Sequence, residues 1–284
     1  MPPPDQTEGA LQARIAQAAE ALGEAEAIQI AAGAGMGVDS GLPDFRGTEG
    51  FWRAYPPFRK LGLRFEELAN PHWFQRDPEL AWGFYGHRLA LYRQTRPHDG
   101  FAVLQRLGAG RSRFVFTSNV DGHFQAAGFD EDEVEEVHGS IRWLQCSAPC
   151  GTGIWSAEGF EVEVDVRSFR ATGPLPRCHR CGAVARPNIL MFGDWSFVAD
   201  RADRQGQRRS DWLGAVGGRR LVVIEIGAGT AVPTVRWTSE RLLAAGATLI
   251  RINPREAFGP PGTIELPLDA NAAVGAIEQA LLGA

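Results

Sequence analysis

The chain has 284 residues, 44% of them apolar, enough for one large domain or a domain carrying an insertion. Its formal charge of −5 argues against nucleic acid as the main partner. No apolar run approaches the length of a membrane span, and Met1-Pro2-Pro3-Pro4-Asp5 does not read as a signal peptide, so the expected compartment is the cytoplasm.

After a short tail, residues 7–22 carry Leu11, Ile15, Ala19 and Leu22 at helical spacing. Residues 27–32 read as a first strand, which runs into Gly33-Ala34-Gly35. Residues 48–75, rich in aromatic residues and proline, read as an irregular loop. Asp77-Pro78 is a helix start, with Asp as N-cap and Pro in the first turn, and the helix is expected to reach about Gln94. Residues 113–116 form a short strand ending in Thr117-Ser118-Asn119, and residues 134–137 another ending in His138-Gly139-Ser140. A cysteine-bearing segment follows, then an apolar run at 189–192. Residues 221–226 give the clearest buried strand, ending in Gly227-Ala228-Gly229-Thr230. A helix over 234–245 closes with Gly246. Residues 248–252 form a strand ending in Asn253, residues 264–266 the last strand, and Asp269 caps a helix running to about Leu282.

Strands alternating with helices predict a mainly parallel α/β sheet covered on both faces. In such sheets ligands bind outside the carboxyl ends of the strands. The glycine and polar motifs gather at those ends, which points to a nucleotide-like ligand; the alternative is that small polar residues merely terminate strands. The stretch Gly33 to Gly47 departs from a dinucleotide fingerprint, because Pro43 interrupts any helix and Asp44-Phe45-Arg46 follows at once.

All four cysteines lie in one segment: Cys146 and Cys150, then Cys178 and Cys181 after 27 intervening residues. Two short knuckles of this kind suit a structural zinc ion held by four thiolates in a reducing compartment. Two disulfides, or unlinked thiols, are the other readings. His179 lies inside the second knuckle, but four sulfurs already fill a tetrahedral shell.

Taken in order, these motifs resemble the sirtuins, the NAD-dependent protein-lysine deacylases. The resemblance runs from about Glu20 to Asp269. It rests on Gly33-Ala34-Gly35 with Ser40-Gly41-Leu42-Pro43-Asp44-Phe45-Arg46-Gly47, Thr117-x-Asn119-Val120-Asp121-Gly122, His138-Gly139-Ser140, the two cysteine pairs, Arg186-Pro187-Asn188 through Phe192-Gly193-Asp194, and Ile252-Asn253. It implies a Rossmann-like parallel-sheet domain (residues 7–47, 98–140 and 186–284) with a smaller inserted module, helical over 48–97 and zinc-ribbon over 141–185. It implies an enzyme of the transferase class that takes NAD as co-substrate, binds a structural zinc, and acts on acylated-lysine proteins or peptides.

Residue by residue, the resemblance places Gly33, Ala34, Gly35 and Met36 at the NAD pyrophosphate, with Asp44, Phe45 and Arg46 in a loop around the nicotinamide ribose. Asn119 and Asp121 line the nicotinamide pocket, and Ser118 stands where a glutamine normally bonds the ribose; Gly227, Gly229, Thr230 and Asn253 complete the nucleotide site. His138, with Asn119 and Asp121, is implied as the catalytic group, a general base near neutral pH. Residues 188–192 resemble the strand that pairs with a substrate peptide, with Leu190 and Phe192 flanking the acyl-lysine. Tyr85 and Arg88 match a Tyr-x-x-Arg pair found in sirtuins that remove succinyl and malonyl groups.

The chain departs from the family at Gly37 (usually Ser or Thr), Ser118 (usually Gln), His123-Phe124 (usually Leu-His) and Gly227-Ala228-Gly229 (usually Gly-Thr-Ser). These changes surround the expected NAD site, so two other readings stay open. One is an NAD hydrolase or ADP-ribosyltransferase; the other is a non-catalytic module that senses NAD or ADP-ribose.

Overall fold

The computed structural model describes residues 4–43 and 47–283. Helix α1 (Pro4–Gly23) leads into β1 (Ala27–Ala32) and a short 3-10 helix, Ala34–Ser40. Helices α2 (Gly47–Ala54), α3 (Pro56–Lys60), α4 (Phe65–Leu68), α5 (Trp73–Arg76), α6 (Pro78–Gln94) and α7 (Asp99–Leu107) follow. Next come β2 (Ser112–Thr117), the one-turn α8 (His123–Ala126), β3 (Val134–Glu136) and β4 (Gly139–Cys146). The cysteine segment holds β5 (Ile154–Ser156), β6 (Val164–Asp165) and β7 (Arg170–Ala171), and passes into β8 (Ala185–Ile189). The chain continues through α9 (Asp200–Ala215), β9 (Leu221–Ile226), α10 (Thr234–Ala244), β10 (Thr248–Ile252), β11 (Ile264–Leu266) and α11 (Ala270–Leu282).

Among the described residues the main sheet has six parallel strands in the order β11-β10-β9-β1-β2-β3. The chain leaves β1 toward β2 and β3, then returns to the other side of β1 through β9. The strand order therefore reverses between β1 and β9, which is where an open α/β sheet forms its ligand crevice. The register brings Ala32 level with both Thr117 and Ile226, and Ile226 level with Ile252. The segments after these residues therefore emerge along one edge.

One face of the sheet packs Ile15, Leu22, Phe101, Leu104, Val274 and Ile277 from α1, α7 and α11 against β1 and its neighbours. The other face is smaller and uses Val235 of α10 against Ala31, Val223 and Leu249. This second face also buries charge. Arg251 of β10 donates to Glu225 of β9 at 2.6 and 3.0 Å and to Glu240 of α10 at 2.9 Å. A buried ion pair is tolerated only when its hydrogen bonds are filled this well.

Helix α9 was not legible in the sequence because it has no apolar stripe. Its buried residues are Arg201 and Gln205. Arg201 pairs with Glu131 and, at 2.6 Å, with buried Glu136, while Gln205 accepts the Glu136 N–H at 3.1 Å.

Residues 48–75 are not the irregular loop that the sequence suggests. They form α2 to α5, each eight residues or shorter. Such helices are too short to stand on propensity. Packing holds them: Phe51 stacks on Phe58 at 5.9 Å, and both meet Phe84 of α6 edge-on at 6.0 Å. This aromatic core, with Tyr55, Phe74, Trp82 and Tyr85, is separate from the two cores of the sheet and closes on β4 and β8 through Leu144 and Ile189.

Candidate functional site

The turns after β1 and β9 touch. Gly35 N–H donates to the Gly227 carbonyl at 3.0 Å. A Cβ on Gly33 would lie 2.7 Å from Ala228 Cα, and one on Gly227, whose φ is +63°, would lie 2.4 Å from the Gly35 backbone. Both glycines are therefore required by loop packing, and the packed loops leave backbone exposed at the crevice. Ala34 is exposed, and Met36 is fully buried beneath the turn. A side chain at Gly37 would face Leu42, with its Cβ 3.1 Å from Leu42 Cδ1. Asp44, Phe45 and Arg46 lie outside the described residues.

The end of β2 is tied to the same turn. Asn119 Nδ2 donates to the Gly33 carbonyl at 3.0 Å, and its N–H is held by Thr117 Oγ1 at 3.0 Å. Ser118 N–H bonds the Ala32 carbonyl at 3.1 Å. Asp121 Oδ1 accepts the His123 N–H at 2.9 Å, so this oxygen caps α8. Its other oxygen has no protein partner among the described residues.

His138 follows β3 and is half-buried. Burial, the larger effect, lowers its pKa from the ordinary 6.5, while a hydrogen bond with the Ser118 main chain raises it. Its Nε2 lies 3.4 Å from Thr234 Oγ1 at the start of α10. The sequence reading missed Thr234; a hydroxyl opening the helix after the β9 turn was the available signal.

Thr230 does not supply a free hydroxyl in place of the family's Thr-Ser. Its Oγ1 donates to Glu256 Oε1 at 2.7 Å and its N–H to Oε2 at 3.1 Å. Gly229 lies beside the same carboxylate. Asn253 is fully buried: Nδ2 donates to the Ala228 carbonyl at 3.0 Å, and Oδ1 accepts the Arg255 and Glu256 N–H groups at 3.1 and 3.0 Å. It clamps the β9 and β10 turns together rather than presenting its amide. Beside it a recess of about 80 Å³ is lined by Gly35, Val38, Gly227, Pro254, Arg255 and Asp269, among others. Val38, Pro254 and Arg255 carried no signal in the sequence.

Of residues 188–192, which resemble a substrate-pairing strand, Asn188 and Ile189 end a strand. The observed strand is β8 (Ala185–Ile189), antiparallel to β4, and Leu190 to Phe192 continue beyond it. Leu190 N–H donates to the His138 carbonyl at 2.9 Å, and Phe192 N–H to Ala69 at 2.9 Å. Leu190 is 42% and Phe192 39% exposed, so an apolar edge borders His138. The loop is anchored by a fully buried pair, Arg186 Nη2 to Asp194 at 2.7 Å.

Tyr85 and Arg88 lie on neighbouring turns of α6 and both are buried. Arg88 Cζ is 5.2 Å from the Phe84 ring centroid and 5.7 Å from that of Tyr85. Burial pushes Tyr85 up to about 12, against the lowering effect of Arg88, so it remains a hydroxyl donor.

The four cysteines converge. All four Sγ atoms lie within 4.8 Å of one another, with Cys146 to Cys181 at 3.5 Å and Cys150 to Cys178 at 3.6 Å. These separations are far from a disulfide bond of about 2.05 Å. They suit the edge of a tetrahedron around zinc, about 3.8 Å for Zn–S bonds of about 2.3 Å. Burial pushes the Cys146 thiol up to about 12; at Cys178 burial acts the same way, but the Cys181 and Arg180 N–H groups outweigh it and bring the thiol to about 6. A dication would stabilise all four thiolates together. The donor set fits a structural zinc with no open position.

A model of the Sir2 family matches residues 33–217. An NAD-dependent protein deacylase 1 of Archaeoglobus fulgidus is 33% identical over 240 residues, 83% of this chain and 84% of that one. A Thermus thermophilus NAD-dependent protein deacylase is 30% identical over 246 residues, covering 85% and 84%. A crystal structure of a Sir2 homologue in complex with NAD superposes with a TM-score of 0.69 at 29% identity, covering 94% of each chain. With the strand order, the glycine turns and the cysteine cluster in place, the chain belongs to the Sir2 family, the sirtuins.

Proposed function

We propose that the protein is an NAD-dependent protein-lysine deacylase, with nicotinamide and an O-acyl-ADP-ribose as products. The observation that carries this reading is the convergence at the β1–β9 switch point. The Gly33 and Gly227 turns, the Asn119–Asp121 segment and the His138 imidazole meet there, beside the exposed Leu190 and Phe192. Bound NAD supplies a ribose carbon that accepts the acyl oxygen as nicotinamide leaves, and a ribose hydroxyl that then carries the acyl group. The protein's part is to hold and to move a proton. Gly33, Ala34, Gly35 and Met36 shape the phosphate side, and Asn253 fixes the two turns that face it. Asn119 and Asp121 orient the carboxamide, and His138 Nε2 takes the proton of the ribose hydroxyl. Leu190 and Phe192 flank the acyl-lysine. The four thiolates hold zinc for structure only. The thiol cluster calls for a reducing compartment, which supports a cytoplasmic location. Separate cores support the division into a nucleotide domain (7–47, 98–140, 186–284) and a small domain (48–97, 141–185).

Among acyl groups we infer a dicarboxylic one, succinyl or malonyl. A guanidinium and a phenol buried together in an aromatic pocket are suited to a carboxylate rather than a methyl group. The test is the ratio of desuccinylation to deacetylation in wild type and in Arg88→Met. Loss of one charged hydrogen-bonding partner should weaken the succinyl reaction selectively by about 1.5–3 kcal/mol. An equal loss on both substrates, or no desuccinylation by the wild type, leaves acetyl as the substrate.

A further inference from the structure

One turn beyond Arg88 on α6 stands Tyr92, which is 8% exposed. Its hydroxyl oxygen accepts two bonds from the same guanidinium, from Nε at 2.9 Å and from Nη2 at 2.6 Å. Its ring also lies against the cation, 5.2 Å from centroid to Cζ. An oxygen that accepts twice still carries a proton to donate. Burial raises the Tyr92 pKa, Arg88 lowers it, and the Asp121 charge raises it again, so the hydroxyl keeps its proton. His123, with its ring centroid 6.5 Å from that of Tyr92, is also buried, and neither of its nitrogens has a hydrogen-bond partner among the described residues. Tyr92 thus holds the Arg88 guanidinium from one side and lies beside the His123 ring on the other.

We propose that Tyr92 is a positioning residue for dicarboxylic acyl-lysine substrates, its hydroxyl fixing the Nε–Nη2 edge of Arg88 so that the guanidinium meets the acyl carboxylate in one orientation. The proposal rests on the reading of Arg88 as the partner of that carboxylate. An arginine side chain has several rotatable bonds, and one held in place beforehand loses less freedom when the substrate binds. The acyl carboxylate is remote from the reacting carbonyl, so it is bound about equally in ground and transition states. Its loss belongs in KM rather than kcat.

The test is Tyr92→Phe, which keeps the ring against the guanidinium and removes only the oxygen. It is assayed with NAD and a matched pair of succinyl-lysine and acetyl-lysine peptides, beside Arg88→Met. The ratio of kcat/KM for succinyl over acetyl should fall about tenfold, the size expected for a hydrogen bond to a charged group, through a higher KM for the succinyl peptide. Tyr92→Met, also without an oxygen, should show the same drop and serves if the first variant is unfolded by thermal melting. If both substrates slow alike, Tyr92 is only packing and the proposal fails. If Arg88→Met loses succinyl selectivity while Tyr92→Phe keeps it, the proposal fails and the Arg88 reading stands. If the wild type removes no succinyl group, both fall together.

Discussion

His138→Ala is expected to lower deacylation by about 10²–10⁴-fold, the usual loss on removing a general base, while NAD binding is largely kept. The separation follows from position. The imidazole contacts the Ser118 main chain and Thr234, whereas the turns that shape the nucleotide crevice are held by backbone and by Asn119 and Asn253. Removing the ring leaves those clamps in place. Calorimetric NAD affinity and steady-state turnover measure the two effects independently. A pH profile adds a signed check. Only the neutral imidazole accepts a proton, and burial lowers its pKa, so the base persists as pH falls past the ordinary value of 6.5. The acid limb attributable to His138 should therefore lie below 6.5 and vanish in the alanine variant. A limb unchanged in that variant assigns the titration to another group.

Cys178→Ser is expected to release the metal and to lower thermal stability sharply, because metal-binding free energy in such sites, about 10–16 kcal/mol in small zinc peptides, is also folding free energy. The effect should spread. Cys146 ends β4, and β8 starts four residues after Cys181, so the zinc knuckles splice the strand pair that carries Leu144 and Ile189 into the aromatic core. Trp82 is tied to the same place, its Nε1 donating to the Ala185 carbonyl at 2.8 Å. Metal analysis of the wild type should find about one zinc per chain, the content of a four-thiolate structural site. A metal-free wild type that is folded and fully active would refute the assignment.

Strands β1, β2, β9 and β10 were legible because each is a short, mostly buried run that passes into glycine or a small polar group. The helix start at Asp77-Pro78 was legible for its chemistry: Asp77 accepts the Leu80 N–H at 3.2 Å. The apolar run at 189–192 misled, because β8 carries Arg186, Pro187 and Asn188 in buried positions. These are rescued by partners outside the strand, Asp194 eight residues on for Arg186 and Gln145 of β4 for Asn188. Helix α9 hid for a similar reason, since it docks through ion pairs. In the sequence, Gly33, Asn119, Asp121 and His138 stood out through their motifs, and the four cysteines, which stood out by spacing, converge in the structure. Thr234 and Tyr92 have no motif; only their distances to His138 and Arg88 single them out. Asn253 stood out after its strand, but its amide is spent inside the protein.

The measurement that most directly tests the central claim is nicotinamide release from NAD with and without an acyl-lysine peptide. In a deacylase the acyl oxygen is the group that attacks the ribose, so release should depend on the peptide and match lysine deacylation one for one. Equal release without the peptide would contradict the account and make the protein an NAD hydrolase.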